Sequence, residues 1–175
     1  MILYHGTTEM RAKQIFDERM ICCHSERFFT EESNGNGYST DGYVYLTNEI
    51  TFAAFFANSH SLVDKSSKLY IFRMSIPKSE LEPDYDEMRY QDPTGFDRER
   101  YETDMDCSLL EFKACRVPFD IRFEKYALEY CVIDKNLMSD IPRLLDNAGA
   151  DYKYVIDHYT TYQKNFINSI TWKPV

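Results

Sequence analysis

The sequence predicts one α+β domain, with short strands interspersed with helices. Three observations predict it. Short β-prone runs recur along the chain, from Ile2-Leu3-Tyr4 through Tyr43-Val44-Tyr45-Leu46 and residues 68–76 to Ala127–Asp134. Between them, residues 9 to about 19 and 51–57 space their apolar side chains near the 3.6-residue period. A chain of 175 residues, 43% of them hydrophobic, is long enough for one domain with a sizeable core.

The first strand, Ile2-Leu3-Tyr4, delivers His5 and then Gly6, where backbone can approach a ligand closely. Thr7 or Thr8 can cap the following helix, whose Met10, Ala12, Ile15, Phe16 and Met20 fall near one face. Residues 21–41 read as a loop, and the turn formers of 33–42 include three of the six glycines. A loop of that length is either plain surface or a cover for a substrate. The next strand, 43–46, leads to a helix that Asn48 or Thr51 can cap, with Phe52, Ala53, Phe55, Phe56 and Ala57 on its apolar side. Residues 68–76 alternate as a sheet strand would, and Pro77 closes the run.

From 80 to 106 the chain is strongly acidic and poorly periodic, with Asp84, Asp86 and Glu87 among its carboxylates and Tyr85, Tyr90 and Phe96 as anchors. It reads as a solvated insertion, or else as a segment that recognises a basic or protein target. Strand pieces in 107–117 and 120–128, with a turn at Pro118, suit an antiparallel sheet. Ala127–Asp134 is the last convincing strand. A short helix over 138–145 ends near Gly149, and the aromatic-rich tail from 151 packs back as a helix with a final extended piece. No internal repeat or linker is visible, so 1–175 reads as a single domain.

The net charge of -9 argues against a broad basic face for nucleic acid, though not against brief contact with an RNA or DNA substrate. Five cysteines, an odd number without a Cys-x-x-Cys pair, read as reduced thiols, and Cys22-Cys23-His24 are too close in sequence to supply three tetrahedral ligands. No metal is expected. No charged start precedes an apolar run, and no stretch approaches membrane-spanning length. The expected location is cytoplasmic, with no membrane partner.

Three motifs in order carry a resemblance. Leu3-Tyr4-His5-Gly6-Thr7-Thr8 is followed by Gly42-Tyr43-Val44-Tyr45-Leu46-Thr47 leading into Thr51-Phe52-Ala53-Ala54-Phe55-Phe56-Ala57, and then by Leu128-Glu129-Tyr130-Cys131-Val132. Together they resemble the His-Tyr-Glu branch of the ADP-ribosyltransferase superfamily, which contains diphtheria toxin and the poly(ADP-ribose) polymerases. The resemblance covers residues 1 to about 134. It implies an ADP-ribosyltransferase-like split antiparallel β-sheet core with flanking helices, and NAD as co-substrate. By the same resemblance Gly6 would hydrogen-bond the nicotinamide amide through its backbone, His5 a ribose hydroxyl, and Thr7 would assist on the ribose side. Tyr45 would stack on the nicotinamide, Phe56 would supply the second aromatic, and Glu129 would be the catalytic carboxylate.

The pattern departs from the polymerases at Ala53, where they carry a serine that bonds the amide. The arginine-specific branch is a poorer match, because residue 127, two before Glu129, is alanine and its Glu-x-Glu turn is absent. The chemistry needs no metal. The nicotinamide of NAD is a cationic leaving group on a glycosidic carbon, and a carboxylate near that carbon stabilises the oxocarbenium-like ribose as the bond breaks. The chain also lacks G-x-G-x-x-G, so NAD would not be held as in a Rossmann fold.

The expected activity is mono-ADP-ribosylation of a macromolecular acceptor, protein favoured over nucleic acid on charge. By analogy a free-standing version would be a bacterial or phage toxin or conflict factor, with room for a neutralising partner. Two rivals stand beside it: an NAD glycohydrolase, in which water replaces the acceptor, and an inactive nucleotide- or protein-binding module.

Overall fold

The computed structural model describes residues 1–26, 39–91, 105–135 and 164–175. In chain order the strands are β1 (Ile2–Thr8), β2 (Met20–Ile21), β3 (Val44–Thr47), β4 (Lys68–Ser75), β5 (Glu82–Pro83), β6 (Ala114–Val117), β7 (Ile121–Arg122), β8 (Ala127–Asp134) and β9 (Lys173–Pro174). The helices are α1 (Glu9–Glu18), α2 (Ile50–Asp64), α3 (Tyr85–Gln91) and α4 (Met105–Leu110), with a further helical turn over 164–169. The molecule is α+β. Seven strands form one sheet in the order β5-β6-β3-β1-β4-β8-β9, every registered pair is antiparallel, and β2 pairs with β7 as a separate ribbon.

β1 lies at the centre of the sheet and is bonded unequally on its two sides. It registers with β4 from Ile2↔Ser75 through Thr8↔Leu69, but with β3 at a single pair, Tyr4↔Thr47. β3 in turn is matched to β6 along its whole length. The sheet is therefore two antiparallel pieces, β1-β4-β8-β9 and β3-β6-β5, that meet at one residue pair and then part.

Strand alternation sorts the core into two layers. β4 sends Leu69 and Ile71 to one face, where Ala53, Ala54 and Ala57 of α2 cover them together with Cys131 and Ile133 of β8. It sends Phe72 and Met74 to the other, where Ile15 of α1 joins Leu3, Val44 and Ile121. Phe16 wedges between Phe72 and Tyr130, at ring-centroid distances of 5.4 and 4.8 Å. Burying each large apolar side chain in these layers is worth about 1.5–3 kcal/mol.

α1 starts as its sequence predicts. The Thr8 hydroxyl accepts the Arg11 N–H at 3.5 Å, and the helix stops where Arg19 turns left-handed at φ 54°. α2 differs. Its capping position is Glu49, whose carboxylate makes no capping bond and instead accepts the Thr51 hydroxyl at 2.8 Å, while Asn48 is engaged on the Leu109 carbonyl at 2.9 Å. Its buried face is also not the aromatic one. Alanines go under because the helix backbone runs against β1: a Cβ on Gly6 would lie 1.8 Å from the Ala53 carbonyl oxygen. Phe55 and Phe56 are left half-buried at the edge of this contact.

The acidic stretch is more than a solvated insertion where it is described. β5 adds a strand to the sheet edge, Met88 of α3 is fully buried with Phe112, and Asp84 is 4% exposed. The local reason is legible in hindsight. Asp84 sits just before α3 and accepts the Asp86 and Glu87 N–H groups at 3.1 and 3.0 Å, as a helix-capping carboxylate does. Residues 92–104, most of the turn-rich 33–42 segment, the helix expected over 138–145 and the tail up to 163 lie outside the described residues. The end of the tail does pack back: Phe166 is buried beneath α2, and β9 registers Pro174 with Glu129. Among the described residues no helix is long and apolar enough to cross a membrane.

Candidate functional site

Beyond Tyr4↔Thr47 the ladder between β1 and β3 does not continue, and the imidazole of His5 bridges the gap. Its Nδ1 lies 3.0 Å from the Tyr45 carbonyl oxygen. A carbonyl only accepts, so in the neutral ring the proton is on Nδ1 and Nε2 is the acceptor. A cavity of about 420 Å³ opens at this parting. Because the strands have separated, residues from both faces of β1 reach it.

Five of the six residues singled out in the sequence line this cavity: His5, Gly6 and Thr7 from β1, Tyr45 from β3 and Phe56 from α2. Ala53 lines it too. Glu129 does not. On β8 it stands in register with Arg73 of β4, which is in register with Tyr4, so the three share the α2 face of the sheet. Tyr4 itself borders the cavity. Two strand spacings put Glu129 roughly 10 Å from β1. Its carboxylate is in an ion pair with Arg73, whose guanidinium lies 4.5 Å from the centroid of the Trp172 ring.

Three further residues shape the cavity or its wall, and the sequence reading placed none of them at the site. Asp84 and Asp86 both line it, beside Glu87 and Tyr90. Asp86 takes the Tyr45 hydroxyl. Arg116 of β6, 7% exposed, stands behind them with its Nη1 3.7 Å from the Asp86 carboxylate and its guanidinium 3.8 Å from the centre of the Tyr43 ring. The signal was present. Asp84-Tyr85-Asp86-Glu87 is an Asp-x-x-Glu capping box, which marks a helix start rather than a charge run. Other ionisable residues of the lining include Arg11 and Glu18 of α1, Glu26 of the segment after β2, and His60 of α2.

Burial pushes the Tyr45 phenol well above its ordinary range, and the hydrogen bond and charge of Asp86 push the same way. Asp84 behaves alike for the same leading reason. Burial raises its carboxyl to about 8, with Glu87 and Asp86 adding to the effect, while the Glu87 N–H and Arg116 oppose it. Between the usual carboxylate range and about 8 the native state thus holds a proton that the unfolded chain releases. Stability falls as pH rises through that window and levels off above it.

Urea unfolding is expected to show wild type less stable at pH 8.5 than at pH 5 by about 3 kcal/mol. Asp84→Asn keeps the capping geometry and removes most of that slope. A residue of slope remains from Glu87, which burial also raises. An Asp84→Asn protein with the full wild-type slope would contradict this account.

Among the described residues no group of three or more His, Cys, Asp or Glu side chains is arranged to hold a metal ion. No family model matches the sequence, and no curated protein matches it.

Proposed function

We propose that this chain is a mono-ADP-ribosyltransferase of the His-Tyr-Glu type, which cleaves NAD to nicotinamide and transfers ADP-ribose to a macromolecular acceptor. The observation that carries the reading is the convergence of His5, Gly6, Thr7, Tyr45 and Phe56, from two strands and a helix, on one cavity where β1 and β3 part. These are the residues the motif resemblance assigns to the nicotinamide and its ribose. A sheet that splits beside a His-Gly strand also suits the split core expected of that superfamily.

The charge of the lining fits the two ends of NAD. Asp86 and Glu87 beside Tyr45 favour the positively charged pyridinium, and Arg11 places a positive charge in the lining on the α1 side. In this reading Tyr45 and Phe56 hold the ring, His5 and Thr7 the ribose, and Glu129 is the carboxylate that stabilises the ribosyl cation.

A second reading, a nucleotide- or protein-binding module without turnover, is favoured by one observation: Glu129 lies off the cavity lining and is paired with Arg73. Nicotinamide release from NAD, measured with and without cell lysate and followed by label on macromolecules, separates the readings. Release together with labelled macromolecules is expected of the transferase. Release without label marks a glycohydrolase. No release from folded protein with lysate present leaves the binding module.

A further inference from the structure

Tyr45 is held in the cavity by a residue that the motif resemblance does not include. Its phenol has one proton and two oxygen neighbours, the Thr40 carbonyl at 3.0 Å and the Asp86 carboxylate. The charged carboxylate is the stronger acceptor and takes the proton. The same carboxylate accepts the Thr40 N–H at 2.8 Å on Oδ2 and the Thr40 hydroxyl at 3.0 Å on Oδ1. Arg116 stands behind it at 3.7 Å. One side chain from the first turn of α3 therefore ties together the segment before β3, the middle of β3 and the middle of β6.

We propose that Asp86 is the positioning residue of this site: by fixing the Tyr45 ring and the Thr40 lip, it sets how tightly the cavity grips the nicotinamide ring. The inference rests on the transferase reading for its ligand. Its structural half, the hold on Tyr45, stands apart from that reading.

Asp86 acts on binding rather than on bond breaking, because its oxygens are committed to Tyr45 and Thr40. An asparagine in its place has the same shape but no charge: its amide oxygen can still accept the Tyr45 hydroxyl and the Thr40 N–H, more weakly than a carboxylate does, while its N–H₂ can donate to the Thr40 hydroxyl. The common anchor of the Tyr45 ring and the Thr40 backbone is then weakened, while His5, Gly6 and Glu129 are untouched.

Two measurements test this. The first is kinetic. Asp86→Asn is expected to raise KM for NAD about tenfold with kcat within about threefold of wild type. Tyr45→Phe added to Asp86→Asn should cost little more, because both changes break the same link. A fall in kcat at unchanged KM, no change at all, or fully multiplicative effects in the double variant overturns the proposal.

The second needs no turnover. In protein labelled with 3-fluorotyrosine, the Tyr45 resonance is identified by its loss in Tyr45→Phe and followed in Asp86→Asn. It is expected to shift and to titrate at lower pH than in wild type, while the other resonances stay in place. An unmoved Tyr45 signal overturns the proposal. Where the wild-type protein releases no nicotinamide, the transferase reading falls and this spectrum alone decides for or against Asp86.

Discussion

Gly6→Ala will leave little stably folded protein. Gly6 is buried, and its need is for space rather than for unusual backbone angles. An added Cβ lies 1.8 Å from the Ala53 carbonyl oxygen, 2.5 Å from its carbonyl carbon and 3.1 Å from its Cα. All three are backbone atoms, so no side-chain rotation relieves the clash. Either α2 lifts from the sheet, opening the contact of Ala53, Ala54 and Ala57 with Leu69 and Ile71, or β1 bends out of its register with β4.

Overpacking against movable side chains costs about 1–3 kcal/mol. Against two fixed main chains the expected loss is larger, about 4 kcal/mol or more, equivalent to roughly 10–15 °C in melting temperature for a domain of this size. Gly42→Ala is the contrasting case. Gly42 has φ +85°, its nearest neighbour to an added Cβ is the His24 ring at 3.6 Å, and the cost is limited to backbone strain of about 1 kcal/mol. Thermal unfolding by circular dichroism ranks the two; a Gly6→Ala protein no less stable than Gly42→Ala would refute the close approach of α2 to β1.

On the transferase reading proposed above, Glu129→Gln is expected to fold and to lose nicotinamide release. The glutamate is part-exposed on β8, and its Arg73 partner is equally part-exposed. An ion pair in that setting contributes about 0–1 kcal/mol. Arg73 keeps its place over Trp172, which also stacks on Tyr4, so the melting temperature should move by no more than about 3 °C. Activity should fall much further. Removing a charge aimed at a developing cation costs about 3–4 kcal/mol, a 10²–10³-fold loss of nicotinamide release. A Glu129→Gln enzyme with wild-type turnover would take Glu129 out of the reaction and turn attention to Asp86 and Glu87, the carboxylates that do line the cavity.

Legibility in the sequence follows from how local the cause is. α1 could be read because its cap, Thr8, and its apolar period lie within one stretch, and β4 because its eight residues form one uninterrupted β-prone run. The capping of α2 could not, since it depends on Asn48 reaching Leu109, sixty-one residues away. The cavity was legible at His5, Gly6, Thr7, Tyr45 and Phe56, where the motifs mark it. The Asp86 wall was obscured by composition: a run of carboxylates reads as solvated face until the Asp84 capping box is noticed. Glu129 was marked by the motif resemblance alone, as the catalytic carboxylate. Its pairing with Arg73 is set by the register of β4 against β8, which no local pattern announces.

The unequal bonding of β1 gives the site two differently tied walls. His5, Gly6 and Thr7 belong to a strand matched residue for residue with β4. Tyr45 belongs to β3, which is matched to β6 along its length but to β1 through one registered pair. A ligand in this cavity therefore rests on one side against a strand held by a full ladder, and on the other against a strand that side-chain packing, more than main-chain bonding, keeps in place beside it.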